Sequence, residues 1–229
     1  MKLNELEELI AYRFHDPVLL TTAMTHSSYL NEHGLPKEAC NERLEYLGDA
    51  VLEAVTSEFL YRKYPKEMEG RLSRYRAALV CEESLAESAR KLHIGSFLLL
   101  GRGMEKTGGR ESDALISDAF EALIAALYLD GGLEEARKLI GHYVLKDHEE
   151  RLILRDAKTF LQEQVQDKGH IITYETLSES GPQHCPLFRA AVLMDGAKIA
   201  EGEGSSKKQA EQDAAFRMLR LLKEQHLCI

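Results

Sequence analysis

Two periodicities divide this chain. Up to about residue 155, apolar residues recur three and four apart, as on one face of a helix. Leu3, Leu6, Leu9 and Ile10 share such a face, and Pro17 after Asp16 suits the first turn of a helix carrying Val18, Leu19 and Met24. Longer helices are expected over 38–64, ended by Pro65, then over 70–91, 114–129 and 133–154, the last two parted by Asp130-Gly131-Gly132. Beyond Arg155 the pattern becomes a short helix over 159–169, strand-like runs over 171–177, 187–194 and 198–201, and an amphipathic helix from Lys207 to about Lys223. The expectation is an all-α domain over 1–150, a linker over 151–155, and a small α+β domain of order α-β-β-β-α over 156–229.

Composition narrows the function classes. With 29 Lys+Arg against 38 Asp+Glu the net charge is -9, which argues against a generic polycation that holds nucleic acid by bulk charge. The longest apolar stretches, such as Phe97–Leu100, are too short to cross a bilayer, so no membrane partner is expected. Met1-Lys2 runs directly into Glu5, Glu7 and Glu8, which does not read as a secretory signal. Cys40, Cys81, Cys185 and Cys228 lie far apart, without the spacing of a zinc site or disulfide framework. A cytoplasmic protein is the expectation.

The most informative residues are Asn41-Glu42-Arg43-Leu44-Glu45-Tyr46-Leu47-Gly48-Asp49-Ala50-Val51-Leu52. At about 100° per residue, Glu42, Glu45, Asp49 and Glu53 fall in one narrow stripe, opposite Leu44, Leu47, Val51 and Val55. Like charges at this spacing destabilise a helix by roughly 0.2–0.5 kcal/mol per pair, and no lysine or arginine sits in the stripe. A second segment repeats the pattern: Asp118 and Glu121 share a face with Ala122 and Ala125, opposite Phe120, Leu123, Ile124 and Leu127. Acidic stripes are usually solvated surface. Two of them beside small residues instead suggest closely packed faces, and facing carboxylates can hold a hard cation such as Mg²⁺.

Three polar clusters mark the tail. The helix opening at Asp156-Ala157-Lys158 would expose Thr159, Gln162, Glu163 and Gln166, groups able to bond sugar hydroxyls without choosing a base, although a solvated face is the plainer reading. Gly181-Pro182-Gln183-His184 reads as a turn, and a lone histidine there is more often surface than ligand. Ser206 can cap the last helix with Gln209 completing a capping box. Lys207 and Lys208 then lie where the helix dipole disfavours cations, a placement that makes sense beside a bound anion. The glycines at 101, 103, 108 and 109 lack the G-K-[ST] of a nucleotide loop, His26-Ser27-Ser28 reads as a helix-end histidine, and His15-Asp16 lacks further metal-ligand spacing.

Residues 41–52, with Ser117-Asp118-Ala119-Phe120-Glu121-Ala122-Leu123 and Tyr128-Leu129-Asp130-Gly131-Gly132, closely resemble the motifs of bacterial ribonuclease III, in the same order along the chain. The tail clusters resemble the three contact regions of a double-stranded-RNA-binding domain. The resemblance implies an all-α endonuclease domain ahead of that module. It implies metal-site carboxylates at Glu45, Asp49, Asp118 and Glu121, with Asp49 and Glu121 closest to catalysis, and further acids of the cleavage valley at Glu42 and Glu69. It implies Mg²⁺, replaceable by Mn²⁺, and a homodimer with a contact at Tyr46, where the family usually has phenylalanine. RNA contacts would come from Lys158, Thr159, Gln162, Glu163, Gln166, Pro182, His184, Ser206, Lys207 and Lys208. The implied reaction cuts double-stranded RNA to 5′-phosphate and 3′-hydroxyl ends with short 3′ overhangs, in the processing of ribosomal-RNA precursors and some messenger RNAs. The competing readings are a non-cleaving double-stranded-RNA-binding regulator, against which the intact carboxylates count, and a small-molecule metallophosphatase, which leaves Gly202–Lys208 unexplained.

Overall fold

The structure, a computed structural model, describes residues 3–166, 169–180, 182 and 186–224. The chain forms two compact units, Met1–His148 and Glu149–Ile229. The first unit is helical: α1 (Leu3–Leu9), α2 (Pro17–Ala23), α3 (Ser27–His33), α4 (Glu42–Lys63), α5 (Glu69–Val80), α6 (Glu82–Lys91), α7 (Ile94–Phe97), α8 (Arg102–Lys106), α9 (Asp113–Gly131) and α10 (Leu133–Ile140). Then come a π-helical turn, Gly141–Leu145, and α11 (His148–Arg155).

Helix α9 is the axis of this unit. From Ile116 to Leu127 every residue is buried except Asp118 and Glu121, which are half-buried. An all-round apolar helix must be enclosed by others, and α4 lies directly against it. Gly48 makes the contact possible: a Cβ there would stand 1.9 Å from the carbonyl oxygen of Glu121. The two backbones therefore touch where both carry acids.

Two expected helices are interrupted. The 70–91 segment breaks at Cys81, whose extended backbone (φ -68°, ψ 155°) ends α5 and starts α6. Ser84 Oγ donates to the Ala78 carbonyl (2.8 Å), satisfying an acceptor that the break leaves open. The 133–154 segment widens into the π turn, where the buried Ser88 of α6 donates to the Tyr143 carbonyl (2.8 Å). A side chain entering the backbone ladder is a recognised cause of such a defect.

Asp130, near the end of α9, fastens the chain that enters α2. Its side chain is 3% exposed and accepts from the N–H groups of His15 (2.8 Å) and Asp16 (2.9 Å) and from the Tyr12 hydroxyl (2.7 Å). Burial alone would raise its pKa; those donors and the His15 ring outweigh burial and hold the carboxyl at about 2.

In the second unit α12 (Ala157–Gln166) and α13 (Lys207–Glu224) cover one face of an antiparallel sheet of order β1-β2-β3, formed by Ile172–Ser180, Leu187–Met194 and Ala197–Gly204. Asp195 and Gly196 both have positive φ (53° and 84°), so the β2–β3 hairpin closes in two residues, as an Asp-Gly pair allows. Ala157, Leu161, Val165, Val192, Ala214 and Met218 form the core. Residues 151–155, expected as a linker, are helical, and Ile153 packs against this core.

Two substitutions test this packing. Asp130→Asn should destabilise the protein by about 2–3 kcal/mol at pH 7, because donors shaped for a carboxylate would meet an amide. The loss should vanish in chemical denaturation as pH falls from 3.8 toward 2, since a depressed carboxyl pKa stabilises only while the group is ionised. Gly48→Ala should cost about 1–3 kcal/mol or more, lowering the melting temperature by several degrees, because α4 and α9 must part to admit the methyl group.

Candidate active site

Asp118 and Glu121 lie one turn apart on α9 and are the polar interruptions of its buried stretch. Across the Gly48 contact, α4 presents Glu45 and Asp49. Glu45 is half-buried and Asp49 exposed, so the group reaches from the helix interface to solvent. The apolar residues expected behind the α4 acids, Leu44, Val51 and Val55, are buried.

These acids act on one another electrostatically. Burial pushes the Glu121 carboxyl up to about 8, with Asp49, Glu45 and Asp118 adding repulsion in that order. Glu45 is raised by burial and then by Asp118, Glu42 and Asp49. Asp118 is raised by burial and by Glu82, against an opposing pull from His26. Glu42, exposed in the first turn of α4, thus touches the cluster electrostatically. Among the described residues no lysine or arginine forms an ion pair with Glu45, Asp49, Asp118 or Glu121.

That combination suits a hard cation. Buried carboxylates without a counter-charge are costly, and an oxygen-only donor set fits Mg²⁺ or Mn²⁺ better than a soft metal. The acids are not a ready-made cage: among the described residues no three acid, histidine or cysteine side chains converge closely enough to hold a metal. Repelling carboxylates are expected to stand apart until a cation draws them together.

Other expected residues lie elsewhere. Glu69 heads α5, accepts a hydrogen bond from Ser73 Oγ (2.8 Å) and stands outside the repelling set. Glu53, expected without a basic partner, lies 3.9 Å from Arg76 of α5 and leaves the stripe for an ion pair. Tyr46 is 82% exposed on α4. His26 caps α3, its Nδ1 accepting from the Ser28 N–H (3.2 Å). Gly48, Glu82 and His26 were not expected at the site. Gly48 alone carried a signal, a helix-weakening residue at the centre of an acidic helix.

In the second unit Gln162 and Glu163 are exposed on α12, while Thr159 turns back to Asp156 (2.7 Å). Lys158 is held, its Nζ 2.5 Å from Glu211 and 4.3 Å from the Tyr174 ring centre. Lys158, expected as an RNA contact, thus also ties α12 to α13. Ser206 Oγ accepts from the Gln209 N–H (3.2 Å), but Gln209 reaches back to the N–H of Ser205 (3.0 Å), not of Ser206, so the capping box is displaced by one residue. Lys207 and Lys208 are exposed, and neither meets a carboxylate among the described residues. Pro182 is exposed; His184 and the Gln166 side chain lie outside the described residues.

Comparison with known proteins gives this geometry a family. Residues 16–148 match the family described as Ribonuclease-III-like, and residues 157–222 match the double-stranded RNA binding motif. The chain is 46% identical to Ribonuclease 3 of Streptococcus equi subsp. zooepidemicus over 96% of both chains. It is 46% identical to Ribonuclease 3 of Listeria welshimeri, covering 93% of this chain and 94% of the relative. Among solved structures, the nuclease domain of Ribonuclease III from Campylobacter jejuni is 42% identical with a TM-score of 0.59, spanning 63% of this chain and 97% of that one. A helical nuclease unit followed by a double-stranded-RNA-binding unit, matched nearly end to end by such relatives, places this chain in the ribonuclease III family.

Proposed function

We propose that the chain is a Mg²⁺-dependent endonuclease that hydrolyses double-stranded RNA to 5′-phosphate and 3′-hydroxyl ends with short 3′ overhangs. The observation that carries this is the neighbouring acids on α4 and α9, which lack a protein counter-charge, with Glu45, Asp118 and Glu121 raised by burial and by nearby carboxylates. Glu45, Asp49, Asp118 and Glu121 would hold the cation, and Mn²⁺ would substitute. A bound Mg²⁺ supplies a more acidic water and neutralises charge building on phosphorus. The chain's own part is to give up the Glu121 proton on loading, keep the carboxylates fixed by the Gly48 contact, and offer Glu42 and Glu69 as further acids on the nuclease unit.

The second unit would anchor the duplex. Gln162 and Glu163 supply groups for sugar hydroxyls, and Lys207 and Lys208 supply cations for phosphates, a division suited to reading A-form shape more than sequence. Gln166, Pro182, His184 and Ser206 are further proposed RNA contacts. Exposed Tyr46 is the proposed contact between two copies, each cutting one strand. Among the described residues no helix is long and apolar enough to cross a membrane. A cytoplasmic role in trimming ribosomal-RNA precursors and some messenger RNAs completes the reading.

Incubation with a long perfect RNA duplex and Mg²⁺ should give discrete short products. Binding without any products would instead support the non-cleaving regulator. Glu121→Gln should abolish cleavage yet keep duplex affinity near that of the parent. It should also make the metal-free protein more stable at pH 8, by about 1 kcal/mol or roughly 2–4 °C. The sign follows from the raised pKa: between 4.5 and about 8 the folded state holds a proton that the unfolded state has lost, so stability declines as pH rises. The amide should flatten that decline in a series of thermal melts; an unchanged slope would remove Glu121 as its cause. Replacing Lys207 and Lys208 by alanine should weaken duplex binding about tenfold or more at physiological salt and lower the salt slope by about two. An unaltered slope in a salt titration would take both lysines off the phosphate backbone.

A further inference from the structure

We propose that Arg110 is a positioning residue: it fixes the head of α9 relative to the head of α4 and thereby sets the metal affinity of the carboxylates between them. This rests on the metal-site reading of Glu45, Asp49, Asp118 and Glu121. Arg110 lies in the short 3-10 turn Gly109–Glu111, just before α9 begins at Asp113. Its Nη1 donates to two backbone carbonyls, Gly95 (2.8 Å) and Leu98 (2.9 Å). Its Nε and Nη2 grip both oxygens of Glu105 (2.5 and 2.8 Å). A Cβ on Gly95 would stand 2.1 Å from the Arg110 carbonyl oxygen, so the turn lies flush against α7.

From Leu98 the connection continues through backbone alone. The Leu99 N–H donates to the Met24 carbonyl (2.8 Å), and the Leu99 carbonyl accepts from the His26 N–H (3.1 Å), pairing Thr25 with Leu99 as a parallel bridge. The Thr25 carbonyl in turn accepts from the N–H of Asn41 (2.9 Å), which directly precedes α4. Thr25 and Asn41 are both buried. The Ser28 side chain adds a strut, its Oγ accepting from the Gly101 N–H (2.9 Å). One chain of hydrogen bonds therefore runs from Arg110 at the start of α9 to Asn41 at the start of α4.

The two carboxylate helices pack extensively against each other, and two constraints stand out. Gly48 brings them together at Glu121, and the Arg110 frame fixes their heads. Two fixed points determine a crossing angle, and with it the spacing of Glu45 from Asp118. Metal coordination tolerates only a few tenths of an ångström of error. Arginine suits the task because its planar fork reaches two carbonyls and a carboxylate together, which a lysine ammonium on a flexible stem cannot do.

The parent protein, Arg110→Lys, Arg110→Ala and Glu105→Gln should be compared by Mn²⁺ binding followed by electron paramagnetic resonance, alongside metal-free duplex binding and thermal melts. Both Arg110 variants should bind Mn²⁺ about tenfold more weakly than the parent, as when groups that orient metal ligands are lost elsewhere. Cleavage should recover toward the parent's rate as Mg²⁺ is raised, and metal-free duplex affinity should not move. Glu105→Gln should bind Mn²⁺ like the parent, because the carbonyl contacts remain. Unchanged Mn²⁺ affinity with a lower melting temperature in Arg110→Lys would reduce Arg110 to a structural residue and overturn the proposal. An equal loss in Glu105→Gln would overturn the role of the fork. A parent protein that binds no Mn²⁺ would remove the metal reading itself, an outcome distinct from a parent that binds and variants that match it. If Arg110→Ala fails to fold, Arg110→Lys retains the charge and decides.

Discussion

The contact between Gly48 and the Glu121 backbone is the constraint on which the nuclease unit depends. Two helices in ordinary packing stand 8–10 Å apart, separated by side chains. Here a missing Cβ lets α4 settle onto α9 at the level of the acids. The approach buries the edge of the α9 carboxylates and brings those of α4 within repelling distance. The raised Glu121 carboxyl is the electrostatic consequence of that packing. Any side chain at position 48 would relieve the repulsion and dissolve the cluster in the same step. The packing gained at this one residue therefore works against the repulsion it creates, a conflict common where function requires like charges together.

The remainder of the unit supports this costly arrangement. Helix α9 is enclosed so fully that Asp118 and Glu121 cannot simply turn to water on another side. Its far end is tied by the buried Asp130 carboxylate to the chain that enters α2, and its near end carries Arg110. Both ties use a charged group bonded to backbone, so they act on the path of the chain and not merely on side-chain packing. Hydrogen bonds to charged groups are worth roughly twice neutral ones. That is the kind of restraint required to hold carboxylates closer than their charges favour.

What was legible in the sequence is what local periodicity controls. The acids of α4 and α9 fall on one face because helical geometry alone puts them there, and their missing cationic partners could be noticed without coordinates. The Asp195-Gly196 hairpin was equally readable, since few residue pairs accept two positive φ values. The break at Cys81 was not, because no glycine or proline announces it; Ser84 stabilises it by a bond visible only in three dimensions. The π turn at 141–145 bonds Ser88, more than fifty positions earlier. Lys158 looked like a cation for RNA, and only the fold reveals Glu211 and Tyr174 around it. Gly48 belonged to the motif, but the sequence could not say what it touches. Contacts that helical periodicity does not encode, local at Cys81 and distant in the chain elsewhere, are the common cause.

Net charge misleads for the same reason. The second unit has more acids than bases, which taken alone speaks against a polyanionic ligand. Yet several of its acids are engaged with its own cations. Glu201 meets Arg189 and Lys198, Glu203 meets Arg189, Asp213 meets Arg217 and Glu211 meets Lys158. Lys207 and Lys208 are left at the head of α13 without an acidic partner among the described residues, beside the free N–H groups of a helix terminus. A ligand with closely spaced phosphates responds to that local field, because screening confines exposed charges to about 10 Å at 0.1 M salt. Within that radius the sign of the patch is set by what is already paired, and the total charge of the chain has little influence.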